Sequence, residues 1–195
     1  SFMTTYPGIA LFPADFLQLD PIPHPQLTGR FNEENLKSAA KICLTLGFSK
    51  RDVYNVLSAV SPAKGRCETI PSNAPFEVII DYAHTPDGLN GILEEAKNKA
   101  SISNGQVHVC FGCGGDRDQD KRAKMAAIAA KWAAYCVVTS DNPRTESENT
   151  IINDICKGFP KSYPHSIQKD RQKAIEISLK NAQPNDVVVI AGKGH

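Results

Sequence analysis

The chain has 195 residues, 22 Lys or Arg against 21 Asp or Glu, and a formal net charge of +1. Hydrophobic residues make up 41% and charged residues 22%, which is ordinary for a globular protein long enough to hold one full domain and part of another. The near-neutral charge offers no basic face for nucleic acid, no apolar run is long enough to span a bilayer, and Ser1-Phe2-Met3 lacks the basic and apolar stretches of a signal peptide.

In chain order, residues 1–30 are rich in proline and aromatic side chains, among them Pro7, Phe12, Pro13, Phe16, Pro21, Pro23 and Pro25, and are not expected to build a regular core alone. Two helices follow. Leu36, Ala39, Ala40, Cys43 and Leu44 keep helical spacing up to Gly47. Ser49 is placed to cap a second helix with the stripe Val53, Val56, Leu57 and Val60, stopped by Ser61-Pro62. Lys64-Gly65-Arg66 reads as a linker or domain boundary.

From about residue 75 the pattern alternates. Apolar strand-like runs cover Phe76–Asp81, Gln106–Phe111, Tyr135–Thr139 and Asp186–Ala191, with a weak one near His165–Gln168. Between them lie helical stripes: Leu89, Ile92, Leu93 and Ala96; Met125, Ile128, Ala129 and Trp132; Ile151, Ile152 and Ile155; Ile175, Ser178, Leu179 and Ala182. This order predicts an α/β fold: a mainly parallel, doubly wound sheet of Rossmann-like type, with helices on both faces. A partial helical segment precedes it.

The six cysteines are Cys43, Cys67, Cys110, Cys113, Cys136 and Cys156. Only Cys110 and Cys113 share a short spacing, and no second pair completes a zinc site. They read as reduced thiols of a cytoplasmic protein.

The strand-to-helix loops carry the chemistry. They are Asp81-Tyr82-Ala83-His84-Thr85-Pro86, then Gly112 to Asp118, then Ser140-Asp141-Asn142-Pro143-Arg144, then Ala191-Gly192-Lys193-Gly194-His195. In a parallel sheet all four emerge at one edge, where ligands of open α/β sheets bind. That edge would gather Arg117, Arg144, Lys193, His84, His195, several carboxylates and glycines that let a ligand approach the backbone. An arginine fork matches a carboxylate at two points, so Asp141 to Arg144 reads as a loop recognising a carboxylate-bearing small molecule.

Each piece also has a plainer reading. Gly112 to Gly115 can be a tight turn, and their spacing is not that of a dinucleotide fingerprint. Asp116, Arg117 and Asp118 can be a solvated ion-pair cluster. Asp141 can be a turn residue ahead of Pro143, His84 can tie down only its own loop, and Lys193 can be plain surface. Convergence of four such loops on one edge favours a site.

Together these loops resemble the carboxy-terminal domain of the Mur ligases, over roughly residues 28–195. The match is to the subfamily that adds meso-diaminopimelate to UDP-N-acetylmuramoyl-L-alanyl-D-glutamate. The stretches that carry it are Gly29-Arg30-Phe31-Asn32-Glu33-Glu34-Asn35, Gly65-Arg66-Cys67-Glu68, the four loops above, and Lys121-Arg122. The resemblance implies that residues 1–64 are the tail of a central ATP-binding domain and residues 65–195 the amino-acid-binding domain. It implies that Arg117, Asn142, Arg144 and Gly192 hold diaminopimelate, with Asp141 and Pro143 shaping the motif. Asn32, Asn35, Arg66 and Asp81 would approach ATP, and His84 would lie near the reacting groups. Lysine-adding relatives lack the motif arginine, so Arg144 argues for a second carboxylate on the amino acid.

The resemblance further implies ATP and Mg2+ as cofactors, UDP-MurNAc-dipeptide as the other substrate, a monomer, and no nucleic-acid or membrane partner. The family's UDP-binding domain, its phosphate-binding loop and its carbamylated lysine find no match here, and a glutamate follows the family's equivalent of His195. The chain is therefore expected to be a fragment with no ligase activity by itself and no metal ligands of its own. The competing expectations are a non-enzymatic amino-acid-binding module, a lysine-adding ligase, and a folylpolyglutamate-type or cyanophycin-type synthetase.

Overall fold

The computed structural model describes residues 19–22, 24, 27 and 29–193. Most of the proline-rich start, and Gly194 and His195, lie outside these described residues. The chain divides into two compact units, Ser1–Ser61 and Pro62–His195.

In the first unit, α1 (Arg30–Thr45) and α2 (Lys50–Leu57) are joined by a short turn in which Gly47 takes φ +92°, a left-handed value that glycine adopts without strain. Ser49 caps α2, its hydroxyl accepting the Asp52 amide at 3.2 Å. Ile22, Leu36, Ala40 and Val53 form the small core. The second helix is shorter than its apolar stripe suggested. It ends at Leu57, and Val60 lies beyond it with its carbonyl 2.6 Å from His24 Nε2. Ser58, Ala59 and Val60 run up to a proline, and the hydroxyl and β-branched residues among them support a helix weakly.

The second unit holds the sheet. Its elements are β1 (Glu68–Thr69), β2 (Glu77–Asp81), α3 (Pro86–Ile102), β3 (Val107–Phe111), α4 (Asp120–Trp132), β4 (Tyr135–Val138), α5 (Glu148–Cys156), β5 (His165–Ile167), α6 (Arg171–Asn181) and β6 (Val187–Ala191). The strand order is β1-β2-β6-β3-β4-β5. Every neighbouring pair is parallel except β1 with β2. The four strong strand readings and the weak one near residue 165 all appear, with their ends moved by about one residue.

The chain steps from β2 to β3, β4 and β5 in one direction across the sheet and then returns to the middle for β6. Right-handed crossovers therefore place α3, α4 and α5 on one face and α6 on the other. The packing agrees: α3 lies against α4 and α4 against α5, while α6 lies against β3, β4 and β6. Strand residues divide accordingly by pleat. Cys110, Val137, Val188 and Ile190 form one core with Ala174 of α6. Ile79, Val109, Phe111 and Val189 alternate with these and are buried on the α3 side, where Leu89, Ile92, Leu93 and Met125 are also buried. β3 and β6 are buried along their whole length, as central strands covered on both faces must be.

One element was not foreseen. Directly after Lys64-Gly65-Arg66, Glu68 and Thr69 pair antiparallel with Ile80 and Ile79. The Asp81 carboxylate draws this edge in, accepting the amides of Cys67 and Ala83, each at 2.7 Å.

Candidate functional site

The carboxyl ends of β2, β3, β4 and β6 open on one rim, and a cleft of about 550 Å³ lies there. Its walls come from all four loops: Tyr82, His84, Thr85 and Pro86 after β2, Gly114, Arg117 and Asp118 after β3, Asp141, Asn142 and Arg144 after β4, and Gly192 and Lys193 after β6, with Lys121 at the start of α4. The volume suits a small molecule. The lining mixes four cations with two carboxylates, so it offers partners for both signs of charge.

Backbone contact fixes the loops against each other. A Cβ on Gly115 would lie 1.9 Å from the Pro143 carbonyl oxygen, and one on Gly112 would lie 2.3 Å from that of Thr139. The two loops touch main chain to main chain, and only glycine permits that. The Gly115 amide donates to the Asn142 carbonyl at 2.9 Å, and Arg144 Nη1 donates to the Gly115 carbonyl. Arg144 itself sits at φ +51°, held by its amide donating to Asn142 Oδ1 at 3.3 Å. Part of the Arg144 fork is thus anchored to the neighbouring loop. Arg117 is exposed and makes no hydrogen bond or ion pair among the described residues.

Beneath the loops lies an ionic network. The Arg122 side chain, from the first turn of α4, is completely enclosed. It donates to both oxygens of Glu146 at 2.8 Å and to Asp154 at 3.0 Å. Glu146 also accepts the Asp116 amide at 2.6 Å, and the Asp116 carboxylate accepts the Thr145 amide at 3.1 Å and hydroxyl at 2.8 Å. Elsewhere on the rim, Lys193 Nζ stands 3.4 Å from Asp141 Oδ1. Lys121 Nζ donates to the His84 carbonyl at 2.8 Å. His84 Nδ1 lies 3.1 Å from the Tyr82 carbonyl, which can only accept, so Nδ1 carries the proton and Nε2 is left as an acceptor in the neutral ring.

The family described as "Mur ligase, glutamate ligase domain" matches residues 65–194. The chain belongs to the Mur ligase family. A UDP-N-acetylmuramoyl-L-alanyl-D-glutamate--2,6-diaminopimelate ligase from Fusobacterium nucleatum is 42% identical over 170 residues, covering 87% of this chain and 34% of the relative. A solved structure of an enzyme of the same name is 38% identical with TM-score 0.64, covering 89% of this chain and 35% of that one. A folylpolyglutamate synthase/dihydrofolate synthase from Yersinia pestis, solved with AMPPNP and a Mn ion, shares the fold at 20% identity and TM-score 0.66, covering 93% of this chain and 40% of that one. The chain spans about a third of the length of the curated relatives it matches.

Of the residues singled out in this Mur ligase sequence, Arg117, Asp141, Asn142, Arg144, Gly192, His84 and Lys193 line the one cleft. Pro143 does not; its carbonyl abuts Gly115 instead. Arg66 lies over the Tyr82 ring, 4.6 Å from its centroid, and is not among the lining residues, and the Asp81 carboxylate is spent on backbone amides. Asn32 and Asn35 belong to α1 of the first unit, Asn32 buried and Asn35 exposed. The loop residues Gly194 and His195 fall outside the described set. Asp116, which the sequence also allowed to be a solvated ion, is a cross-loop tie. Sequence reasoning gave Arg122 and Glu146 no role. The signal lay in Lys121-Arg122 directly downstream of the glycine loop, yet a cation early in a helix ordinarily reads as surface. Burial pushes the Cys110 and Cys113 thiols up to about 11, so both behave as small hydrophobes.

The same contacts set a pH dependence. The Thr145 bonds hold Asp116, and Arg122 holds Glu146, below their usual carboxylate values of 3.8 and 4.5; Lys157 and then Arg122 do the same for Asp154. A depressed carboxyl stabilises the fold above its unfolded value, and that stability is lost as pH falls through the folded one. Burial shifts Asp81 upward, which opposes this trend on the acid side. Melting temperature should therefore fall as pH drops below about 4.5, and Glu146→Gln should flatten that decline. Thermal scans from about pH 3 to 7 check it. An equally steep acid limb in the variant would count against the network.

Proposed function

We propose that this chain is the amino-acid-binding part of an ATP-dependent ligase that adds meso-diaminopimelate to UDP-MurNAc-L-Ala-D-Glu in cell-wall peptidoglycan synthesis. The observation that carries this reading is the cleft, where Arg117 and Arg144 from separate loops face a volume that also holds Asp118 and Asp141. Diaminopimelate has a carboxylate and an ammonium at each end. Arg117, Arg144, Asn142 and the Gly192 backbone suit its carboxylates, and Asp141 and Asp118 suit an ammonium group. Asp141 and Pro143 keep the loop in shape. His84, with Nε2 free to accept, is placed to guide the attacking amine. The named diaminopimelate ligases among the relatives support the same substrate.

In the proposed reaction ATP transfers its terminal phosphoryl group to the D-glutamyl carboxylate, giving an acyl phosphate and ADP. The diaminopimelate amine then attacks the acyl carbon, loses a proton, and phosphate leaves as the amide forms. Such chemistry depends on positioning and on stabilising charge. This chain's share is to orient the amine donor. Arg66 and Asp81, and separately Asn32 and Asn35 on α1, are proposed nucleotide contacts. Residues 1–64 are read as the tail of the ATP-binding domain, which the exposed Ile42, Leu46, Phe48 and Val56 of the first unit support. Mg2+ is proposed as a cofactor of the whole ligase, with its main ligands outside this chain; among the described residues no three His, Cys, Asp or Glu side chains come together to hold a metal ion. No helix among the described residues is long and apolar enough to cross a membrane. A cytoplasmic monomer with small-molecule partners is the accompanying proposal.

The test is calorimetric titration of the chain with meso-diaminopimelate and, separately, with lysine. Measurable binding of the first and much weaker binding of the second is expected, because lysine offers no carboxylate to the second arginine. Equal affinity for the two would remove the diaminopimelate reading and favour a lysine-adding ligase or a general amino-acid module.

A further inference from the structure

We propose that Arg122 is a positioning residue for the amino-acid site. Its enclosed guanidinium, acting through Glu146, fixes the spacing between the loop that carries Arg117 and the loop that carries Arg144. The inference rests on the reading above that the cleft takes diaminopimelate, and extends it to residues that never touch the ligand. Neither Arg122 nor Glu146 lines the cleft.

Four observations support it. Arg122 lies in the first turn of the helix that follows the Arg117 loop, and Glu146 stands two residues after Arg144, so their double contact at 2.8 Å spans the two loops. The same Glu146 takes the Asp116 amide, next to Arg117. Asp116 in turn takes the amide and hydroxyl of Thr145, next to Arg144. Arg144 Nη1 then closes the circuit on the Gly115 carbonyl. A fully buried guanidinium is tolerated only while its carboxylates stay in register, so movement of the Glu146 loop strands a charge inside the protein. The network therefore acts as a stiff spacer. A ligand with acid groups at both ends needs two arginines at a set distance, and a misplacement of about 1 Å is enough to cost roughly a hundredfold in a positioned reaction.

The test uses the 195-residue chain with isotope-labelled backbone and arginine side chains. Glu146→Gln keeps the shape of the side chain and removes its charge. Asp154→Asn removes the other partner of Arg122, which sits on α5 and belongs to neither loop. Both variants are expected to fold and to melt below the parent. Only Glu146→Gln should shift the Arg144 side-chain and Thr145 amide NMR signals and lower the preference for meso-diaminopimelate over lysine, by about tenfold or more. Equal effects from both variants, or none from Glu146→Gln, overturn the proposal. If Glu146→Gln does not fold, Arg122→Lys, which keeps the charge and loses the double contact with Glu146, takes its place with the same expectation. If the parent shows no preference for meso-diaminopimelate, the ligand reading fails separately. The NMR signals then decide: movement in Glu146→Gln alone upholds the spacer, and stillness overturns it.

Discussion

Arg144→Ala should weaken meso-diaminopimelate binding by about 2–5 kcal/mol and leave lysine binding nearly unchanged. The size follows from what Arg144 is proposed to do. A guanidinium gripping a carboxylate at two points, partly out of water, leaves a buried charge unpaired when it is removed. Arg144 is exposed at the cleft, which favours the lower part of that range, while its anchoring works the other way. Arg144 is not a free surface side chain, because Nη1 is bonded to the Gly115 carbonyl and its backbone sits at φ +51°. Its fork is oriented before any ligand arrives, so little rotamer freedom remains to be lost on binding. Arg144→Lys separates charge from shape: lysine keeps the charge as a point and loses the fork, and most of the affinity should still go. Titrations of the three proteins with both amino acids read this out. If Arg144→Ala binds meso-diaminopimelate as the parent does, the substrate assignment falls, whatever else the cleft holds.

Arg122→Met should lower stability by about 3–5 kcal/mol, the usual result of removing one member of a buried ionic group. For a unit of this size that corresponds to a fall in melting temperature of roughly 10–20 °C. Methionine fills much of the space, so cavity formation is a minor part. The larger part is that Glu146 and Asp154 keep their charges and lose the cation they surround. Making all three positions apolar should recover a large share of the loss, since a well-packed apolar cluster commonly equals or exceeds a buried ionic one. Melting of the single and triple variants at neutral pH is the measurement. A single variant that melts within a few degrees of the parent would show that the network contributes little.

The readable parts of this protein were those whose signal is local or strongly periodic. Val107–Phe111 and Val187–Ala191 are continuous apolar runs, and a strand buried on both faces must look like that. Ser49 announced the start of α2 because a hydroxyl there satisfies an open amide. The gathering of four loops on one rim was also legible, because strand direction alone dictates it once the sheet is parallel. β1 was not: two residues, Glu68 and Thr69, carry no pattern, and they become a strand only because Ile79 and Ile80 lie beside them. The burial of Arg122 was hidden for a related reason. Its partners come from a loop and a helix 24 and 32 residues further along, and nothing in its own neighbourhood distinguishes it from an exposed cation. The roles of Arg117 and Asn142 are implied by resemblance, and the geometry supplies a shared cleft for them.

Strand order has a consequence for how the domain forms. The last strand described, β6, is the one that separates β2 from β3, and it is hydrogen-bonded to both. Until residues 187–191 have left the ribosome, the two halves of the sheet have no common partner, and the row of amides and carbonyls on each facing edge stays open. Assembly of the centre therefore waits for β6 and is dominated by long-range pairing, which slows folding and leaves two sticky edges exposed while it proceeds. The loop bearing Gly192, which completes the cleft, is locked in by this same final step, so an intact pocket reports that the whole sheet has closed.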